Sequence, residues 1–129
     1  MRSARELWEA AYKAVEAADD DALRDLCSAD IEIRTSAKQQ RGPDALAGLF
    51  AQQRGLYTGL EKAVDGVIES ADGRAMAAEL TLSGLPNGTD ERLTWGVVET
   101  IRADGDRLVS WHAMLDRTWL VQQIRANQR

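Results

Sequence analysis

The 129-residue sequence contains only one cysteine, Cys27, and one histidine, His112. A single cysteine excludes an intrachain disulfide, and the two residues together supply too few soft ligands for a zinc site. The sequence also lacks an apolar run of about eighteen residues that would span a membrane, and its N-terminus lacks the shorter run of a signal peptide. We therefore expect a single cytoplasmic domain over residues 1–129, with no metal.

The charge balance is acidic, with a net charge of -5 and a sequence pI near 4.9. Such a chain has no general attraction for phosphate backbones or anionic lipid, so we expect neither nucleic acid nor a membrane surface as a partner. No segment resembles a phosphate-binding loop or a nucleophile elbow.

The first half of the sequence predicts three helices. Ser3 and Glu6 form a capping-box pattern at the start of the first helix. Its buried stripe consists of Leu7, Trp8, Ala11, Tyr12, Val15 and Ala18. The acidic run 19–21 caps a second helix, which carries Leu23, Leu26 and Cys27 inward and ends at Asp30. Pro43 begins a third helix, which ends near Gly55 and buries Leu46, Leu49, Phe50 and Gln53.

The second half predicts strands. Ile31 and Ile33 first indicate a short strand between the second and third helices. Four longer segments, at about 60–70, 76–82, 93–102 and 107–115, are then separated by Asp-Gly and Pro-Asn-Gly turn signals. Helices followed by an antiparallel meander predict an α+β fold, in which a curved sheet packs against helices on one side.

The final hairpin predicts which side chains share a face of the sheet. If Asp104 and Gly105 form its loop, counting outward places four side chains together, which are Trp95, His112, Met114 and Asp116. The opposite face then carries Thr94, Gly96, Val98, Trp111, Ala113 and Leu115. Both faces are too apolar to be bare, so we expect one to cover a core and pocket and the other, outer face to form a homodimer.

Three segments give the chain a resemblance to the SnoaL-like polyketide cyclases of the nuclear transport factor 2-like superfamily. The matching positions are Ala18, Asp19, Leu23, Leu26 and Asp30, then Gly42 and Leu46, and finally Asp104, Gly105, Asp116, Leu120, Gln123 and Ile124. The resemblance implies a cone, formed by a curved antiparallel sheet wrapped around three N-terminal helices, with a deep apolar pocket. It also implies that Asp116 acts as acid/base in an intramolecular aldol ring closure that needs no cofactor.

The chain departs from related families at their functional positions. Thr35 and Val97 align with the two aspartates of ketosteroid isomerases. The Arg-x-Asp pair of limonene-epoxide hydrolases has a counterpart only at 102–104, in the predicted turn. The second catalytic residue of the cyclases, a histidine, aligns near Ile101.

Two candidate catalytic residues, Asp116 and His112, each have a structural alternative. Asp116 lies where a strand gives way to a helix, so it either caps that helix or transfers protons in the pocket. His112 is either a hydrogen-bonded core residue or a group that orients a substrate oxygen. Four residues of strand separate them by about 13 Å, so they form no direct dyad unless a bulge intervenes.

The aromatic residues are candidates for packing or for substrate binding. Candidate substrate-binding residues are Trp8, Tyr12, Phe50, Tyr57, Trp95 and Met114. Glu79 and Glu99 occupy alternate strand positions, where we expect exposure to solvent.

These observations predict a cofactor-independent cyclase that closes a ring in an apolar, oxygenated biosynthetic intermediate such as a polyketide. An epoxide-opening enzyme in the same pocket is one alternative. A non-catalytic small-molecule-binding or accessory domain is another, because a fold does not determine a function. An enzyme requires at least two polar groups that converge inside a cavity, and this requirement separates the hypotheses.

Overall fold

The computed structural model describes residues 1–115, which form three helices and six strands. The helices are α1 (Ala4–Glu16), α2 (Asp20–Asp25) and α3 (Pro43–Leu56). The strands are β1 (Cys27–Thr35), β2 (Gln39–Arg41), β3 (Tyr57–Glu69), β4 (Ala75–Pro86), β5 (Leu93–Asp104) and β6 (Arg107–Leu115). The helix predicted after Asp116, with Leu120, Gln123 and Ile124, lies outside the described residues.

The strands form one curved sheet in the order β2-β1-β6-β5-β4-β3. The α+β prediction is confirmed, and β3 to β6 form the predicted antiparallel meander. The predicted antiparallel sheet has one parallel pair, in which β1 lies beside β6. The amide of Leu108 donates to the carbonyl of Leu26 at 2.7 Å, which joins the start of β6 to the residue before β1.

Helix α1 forms as the sequence predicts. The Ser3 hydroxyl accepts from the Glu6 amide at 3.1 Å, and the Glu6 carboxylate accepts from the Ser3 amide at 3.0 Å, which completes the capping box. Leu7, Trp8 and Ala11 are buried and direct the helix against the sheet. No helix within residues 1–115 has the length and apolar character needed to cross a membrane.

Helix α2 is shorter than predicted. Asp19 caps it as expected, by accepting from the Ala22 amide at 3.0 Å. However, the helix ends at Asp25, and Cys27 is the first residue of β1, paired with Leu108. The helical prediction for Cys27 is therefore wrong, because pairing with β6 replaces the last helical turn. The residue is nevertheless buried, and burial raises the pKa of its thiol to about 11.

Helix α3 begins with Pro43 at its first turn and buries Leu46, Ala47 and Phe50 against the rest of the fold. Proline is favoured there because its fixed φ suits the helix and its missing N–H has no intrahelical partner to lose. The prediction of this helix is confirmed, and it continues one residue beyond Gly55, to Leu56.

The β5–β6 hairpin differs from the prediction in its register. Asp104 pairs with Arg107, so the turn lies on Gly105 and Asp106 rather than one residue earlier. Moving the turn alone leaves the alternation of faces unchanged. The register then shifts between the Ala103–Leu108 and Arg102–Ser110 pairs, which leaves Val109 as a bulge. One extra residue on one strand reverses every later side chain of that strand relative to its partner.

The core lies between the helices and the inner face of the sheet. Its largest fully buried side chains are Trp111, Leu7, Leu23, Ile31, Leu46, Leu80, Ile101 and Leu108. A smaller cluster of Leu82, Leu93 and Trp95 extends the apolar surface toward one end of the sheet, where Tyr57 and Leu60 pack on it. This end of the sheet borders the cavity described below.

Replacing Leu108 by alanine should lower the free energy of unfolding by about 2 to 5 kcal/mol, because its fully buried side chain would leave a cavity beside the bulge. Denaturant unfolding would measure the loss. As a control, Ile68→Thr changes a side chain that is 75% exposed, and it should alter stability by no more than about 0.5 kcal/mol. Equal losses in the two variants would contradict this placement of the core.

Candidate functional site

A cavity of about 430 Å³ lies between α1, α3, the segment after β1 and the inner face of β3 to β6. Its apolar lining includes Leu49, Phe50, Leu60, Leu82, Trp95, Val97 and Leu115. Its polar lining includes Tyr12 of α1, Lys62 of β3 and Glu99 of β5, together with exposed residues such as Lys38 and Glu61. A cavity with an apolar wall and polar groups placed on it is typical of small-molecule sites.

The central polar group is the carboxylate of Glu99, which is only 4% exposed. The Trp8 indole donates to its Oε1 at 2.9 Å. The Tyr12 hydroxyl lies 2.7 Å from Oε1 and 2.8 Å from Oε2, so it reaches both oxygens. The prediction that Glu99 faces solvent is wrong. Glu99 shares a face of β5 with Val97 and Ile101, and the helices cover that face.

Burial determines the ionisation of this carboxylate. Desolvation raises the pKa of Glu99, and the hydrogen bonds from Trp8 and Tyr12 oppose that rise. The buried Trp111 indole N–H also favours the charged form, although it has no hydrogen-bond partner of good geometry among residues 1–115. The Lys62 ammonium acts in the same direction from farther away. Glu99 is thus a carboxyl group with a raised pKa and several donors directed at it.

Tyr12 connects this carboxylate to the cavity. Its ring meets Trp8 edge to face at a centroid distance of 5.3 Å and Phe50 at 5.6 Å. Burial and the neighbouring Glu99 charge raise its pKa well above the ordinary value. The phenol therefore remains protonated near neutral pH and can donate a hydrogen bond.

The Lys62 side chain covers a face of the Tyr12 ring. Its Nζ lies 3.5 Å from the centroid of the Tyr12 ring and 5.5 Å from the Trp8 ring, which are cation–π distances. Lys62 pairs with Leu82 in the β3–β4 register, and both residues line the cavity. A cation, a phenol and a carboxyl group therefore converge at one end of the cavity.

The predicted aromatic residues are partly brought together. Tyr12, Phe50 and Trp95 line the cavity. Trp8 lies in the core behind Tyr12, where its indole holds Glu99. Tyr57 stacks on Trp95 at 4.8 Å between ring centroids, and so supports the wall rather than forming it.

His112 and Met114 lie on the other side of the sheet. Opposite them in the register are Thr100 and Val98, whereas Glu99 is opposite Ala113. The Nε2 atom of His112 is 2.9 Å from Oε1 of Glu32, and Met114 is 38% exposed. The prediction that they share a face with Trp95 is wrong, because the Val109 bulge reverses the alternation. Asp116 lies outside the described residues, so its cap and acid/base roles stay predictions.

Sequence reasoning missed both Glu99 and Lys62 as site residues. The pattern on β5 contained a signal for Glu99, because a carboxylate interrupts a period-two apolar series, which comprises Leu93, Trp95, Val97, Ile101 and Ala103. Lys62 had no comparable signal. Among residues 1–115, no group of three or more histidine, cysteine, aspartate or glutamate side chains is placed to hold a metal ion.

A family model described as a SnoaL-like domain matches residues 8–111. This match spans α1 to β6 and includes Tyr12, Lys62 and Glu99, which together form the polar cluster of the cavity. No curated protein sequence matches the chain significantly.

Solved structures share the fold at low sequence identity. A nuclear transport factor 2-like protein from Burkholderia thailandensis is 19% identical, with a TM-score of 0.80, and the match covers 96% of this chain and 98% of that one. A proposed polyketide cyclase from Pseudomonas putida is 21% identical, with a TM-score of 0.76 and coverage of 95% and 98%. An LEH-like epoxide hydrolase from M. tuberculosis is 19% identical, with a TM-score of 0.72 and coverage of 91% and 81%.

The raised pKa of Glu99 predicts a specific pH dependence of stability. The folded state binds the Glu99 proton more tightly than the unfolded chain, whose glutamate has a pKa near 4.5. This contribution is fully present below the unfolded pKa and is lost as the pH rises through the folded pKa. The free energy of unfolding of the parent, minus that of Glu99→Gln, should therefore fall as the pH rises above 4.5. Urea titrations of both proteins at a series of pH values from 4.5 upward measure this difference in unfolding free energy. A difference that does not change with pH would contradict the argument that burial raises the pKa of Glu99.

Proposed function

The chain belongs to the SnoaL-like domain family, and we propose that it is a cofactor-independent cyclase that closes a ring in a polyketide or a similar oxygenated intermediate. The observation that supports this most strongly is the buried Glu99–Tyr12 pair at the end of an apolar cavity. The description of the Pseudomonas putida structure, which shares the fold, is consistent with this activity.

Glu99 is the proposed base. Its raised pKa makes its carboxylate a stronger base than an exposed glutamate, which suits removal of a proton from carbon beside a carbonyl group. The resulting enolate carbon attacks a second carbonyl of the same molecule and forms the new carbon–carbon bond. The alkoxide oxygen that results takes up a proton from the Glu99–Tyr12 pair, so the step is a net isomerisation.

The apolar wall has a separate task in this proposal. A flexible polycarbonyl chain must bring two distant carbons within bonding distance, and a shaped cavity lowers the entropic part of that barrier. Phe50, Trp95 and Leu82 present flat or branched surfaces that suit a partly aromatic chain. Enzymatic ring closure thus needs few polar residues, which agrees with the small polar cluster.

Epoxide opening is a second candidate. A carboxyl group with a raised pKa keeps more of its protonated form at neutral pH, and that form can protonate an epoxide oxygen as the ring opens. The M. tuberculosis protein described as an epoxide hydrolase shares the fold. The non-catalytic hypothesis is less well supported, because three polar groups converge on the cavity.

Glu99→Gln should lower the rate of ring closure by about 100-fold to 10,000-fold, because the amide cannot accept the proton. The assay follows deuterium incorporation from D₂O and ring formation by mass spectrometry, over a panel of linear and partly cyclised polyketides. Glu61→Gln is the matched control, since Glu61 also lines the cavity but its side chain is 78% exposed. It should retain parental activity.

An Asp116→Asn variant separates the two candidate bases. If Asp116→Asn loses turnover while Glu99→Gln keeps it, Glu99 is not the base and the acid/base prediction for Asp116 gains support. Binding without conversion of any panel member by the parent protein would favour the non-catalytic alternative. Epoxides in the same panel test the second candidate.

We also propose that the outer face of the sheet forms a homodimer. Val98 and Met114 are neighbours in the β5–β6 register, and they are 45% and 38% exposed on the face away from the helices. Val98→Glu should convert a dimer to a monomer in sedimentation analysis, because it would bury a charge in the interface. Val64→Glu, on the edge strand, is the control and should leave the dimer intact. A parent protein that sediments as a monomer would contradict the proposal.

A further inference from the structure

The Lys62 ammonium has an unusual environment for a lysine on an edge strand. It is half-buried at the cavity, above the Tyr12 ring, rather than extended into solvent. Burial lowers its pKa, while the charges of Glu16, Glu99 and Glu9 act in the opposite direction and favour the ammonium. Holding a cation here reduces its hydration, and the aromatic faces supply only part of the compensation.

The hydrogen-bonding capacity of this ammonium is unused in the part of the chain that the structure describes. Its Nζ makes no hydrogen bond and no ion pair within residues 1–115, although an ammonium carries three donors. Because Lys62 lines the cavity, its free N–H donors are accessible to a molecule bound there. An acceptor oxygen of a bound molecule would satisfy them.

We propose that Lys62 binds the ligand oxygen on which negative charge develops, and that the ligand is therefore an enolisable carbonyl compound. This inference rests on the proposed function and adds a residue to it. Tyr12 separates the two charged groups, with the Lys62 ammonium on its ring face and the Glu99 carboxylate at its hydroxyl. In this proposal the carbonyl oxygen contacts Lys62 and the adjacent carbon faces Glu99.

The charge arrangement explains why a cation is useful at this position. When Glu99 takes a proton from carbon, the negative charge moves from the carboxylate to the carbonyl oxygen. A fixed ammonium beside that oxygen stabilises the enolate more than the neutral carbonyl, so it stabilises the reacting state selectively. The step needs no oxidant or other reactant.

Lys38 provides a matched control, because it also lines the cavity but its side chain is exposed. The probe is 4-nitrophenol, whose phenolate resembles an enolate and absorbs visible light differently from the neutral phenol. Absorbance titrations with excess full-length protein give the affinity of each form. Nitrobenzene, a neutral molecule of similar shape, tests whether the cavity is intact in every variant.

The parent protein should bind the phenolate about 10-fold to 100-fold more tightly than Lys62→Met, since a hydrogen bond to a charged group is lost. Lys38→Met should match the parent, and Lys62→Arg should recover part of the affinity. All four proteins should bind nitrobenzene equally. Equal phenolate affinity in the parent and Lys62→Met overturns the proposal, as does failure of the parent to bind the phenolate.

This experiment is independent of turnover. If the parent and Lys62→Met bind the phenolate equally but Glu99→Gln abolishes turnover, Lys62 is not part of the site. The proposed acid/base function of Glu99 still stands in that case. If phenolate binding depends on Lys62 but Glu99→Gln keeps full activity, Lys62 binds the ligand oxygen and Glu99 is not the base.

Discussion

The bulge at Val109 is the constraint on which the candidate site depends. Without it, the alternation of a regular hairpin would turn Trp111, Ala113 and Leu115 away from the helices and bring His112 to the inner face. With it, Trp111 becomes one of the fully buried core residues, and Ala113 and Leu115 border the cavity. A single unpaired residue therefore determines which β6 side chains face the helices and which face away from them.

The buried carboxylate of Glu99 links the first helix to the centre of the sheet. Trp8 and Tyr12, one helical turn apart, both donate to this group on β5. An unpaired carboxylate at this depth would strongly destabilise the fold, and the two donors offset part of its desolvation. The contacts that stabilise α1 against the sheet are thus the contacts that shape the polar end of the cavity.

The polar cluster combines opposite charges without a direct ion pair, because an aromatic ring lies between them. The Tyr12 ring carries the Lys62 ammonium on its face and directs its hydroxyl at Glu99. An aromatic spacer keeps the carboxylate basic and the ammonium available, since neither group is neutralised by close contact with the other. Phe50 and Trp8 hold the spacer at edge-to-face angles, so the arrangement is set before a ligand binds.

The sequence by itself determined the local elements of the described chain. Ser3 with Glu6, Asp19, and Pro43 specify the helix starts through hydrogen bonds or backbone geometry within a few residues. Period-two patterns likewise specified the meander, and the resemblance identified the family. Only the tertiary structure decided the parallel β1–β6 pairing, the bulge and the positions of Glu99, Lys62 and His112. Those features depend on pairing and packing between distant segments, whose free energies exceed local preferences. Of these features, only the position of Glu99 left a trace in the sequence, as a carboxylate within the alternating apolar series of β5.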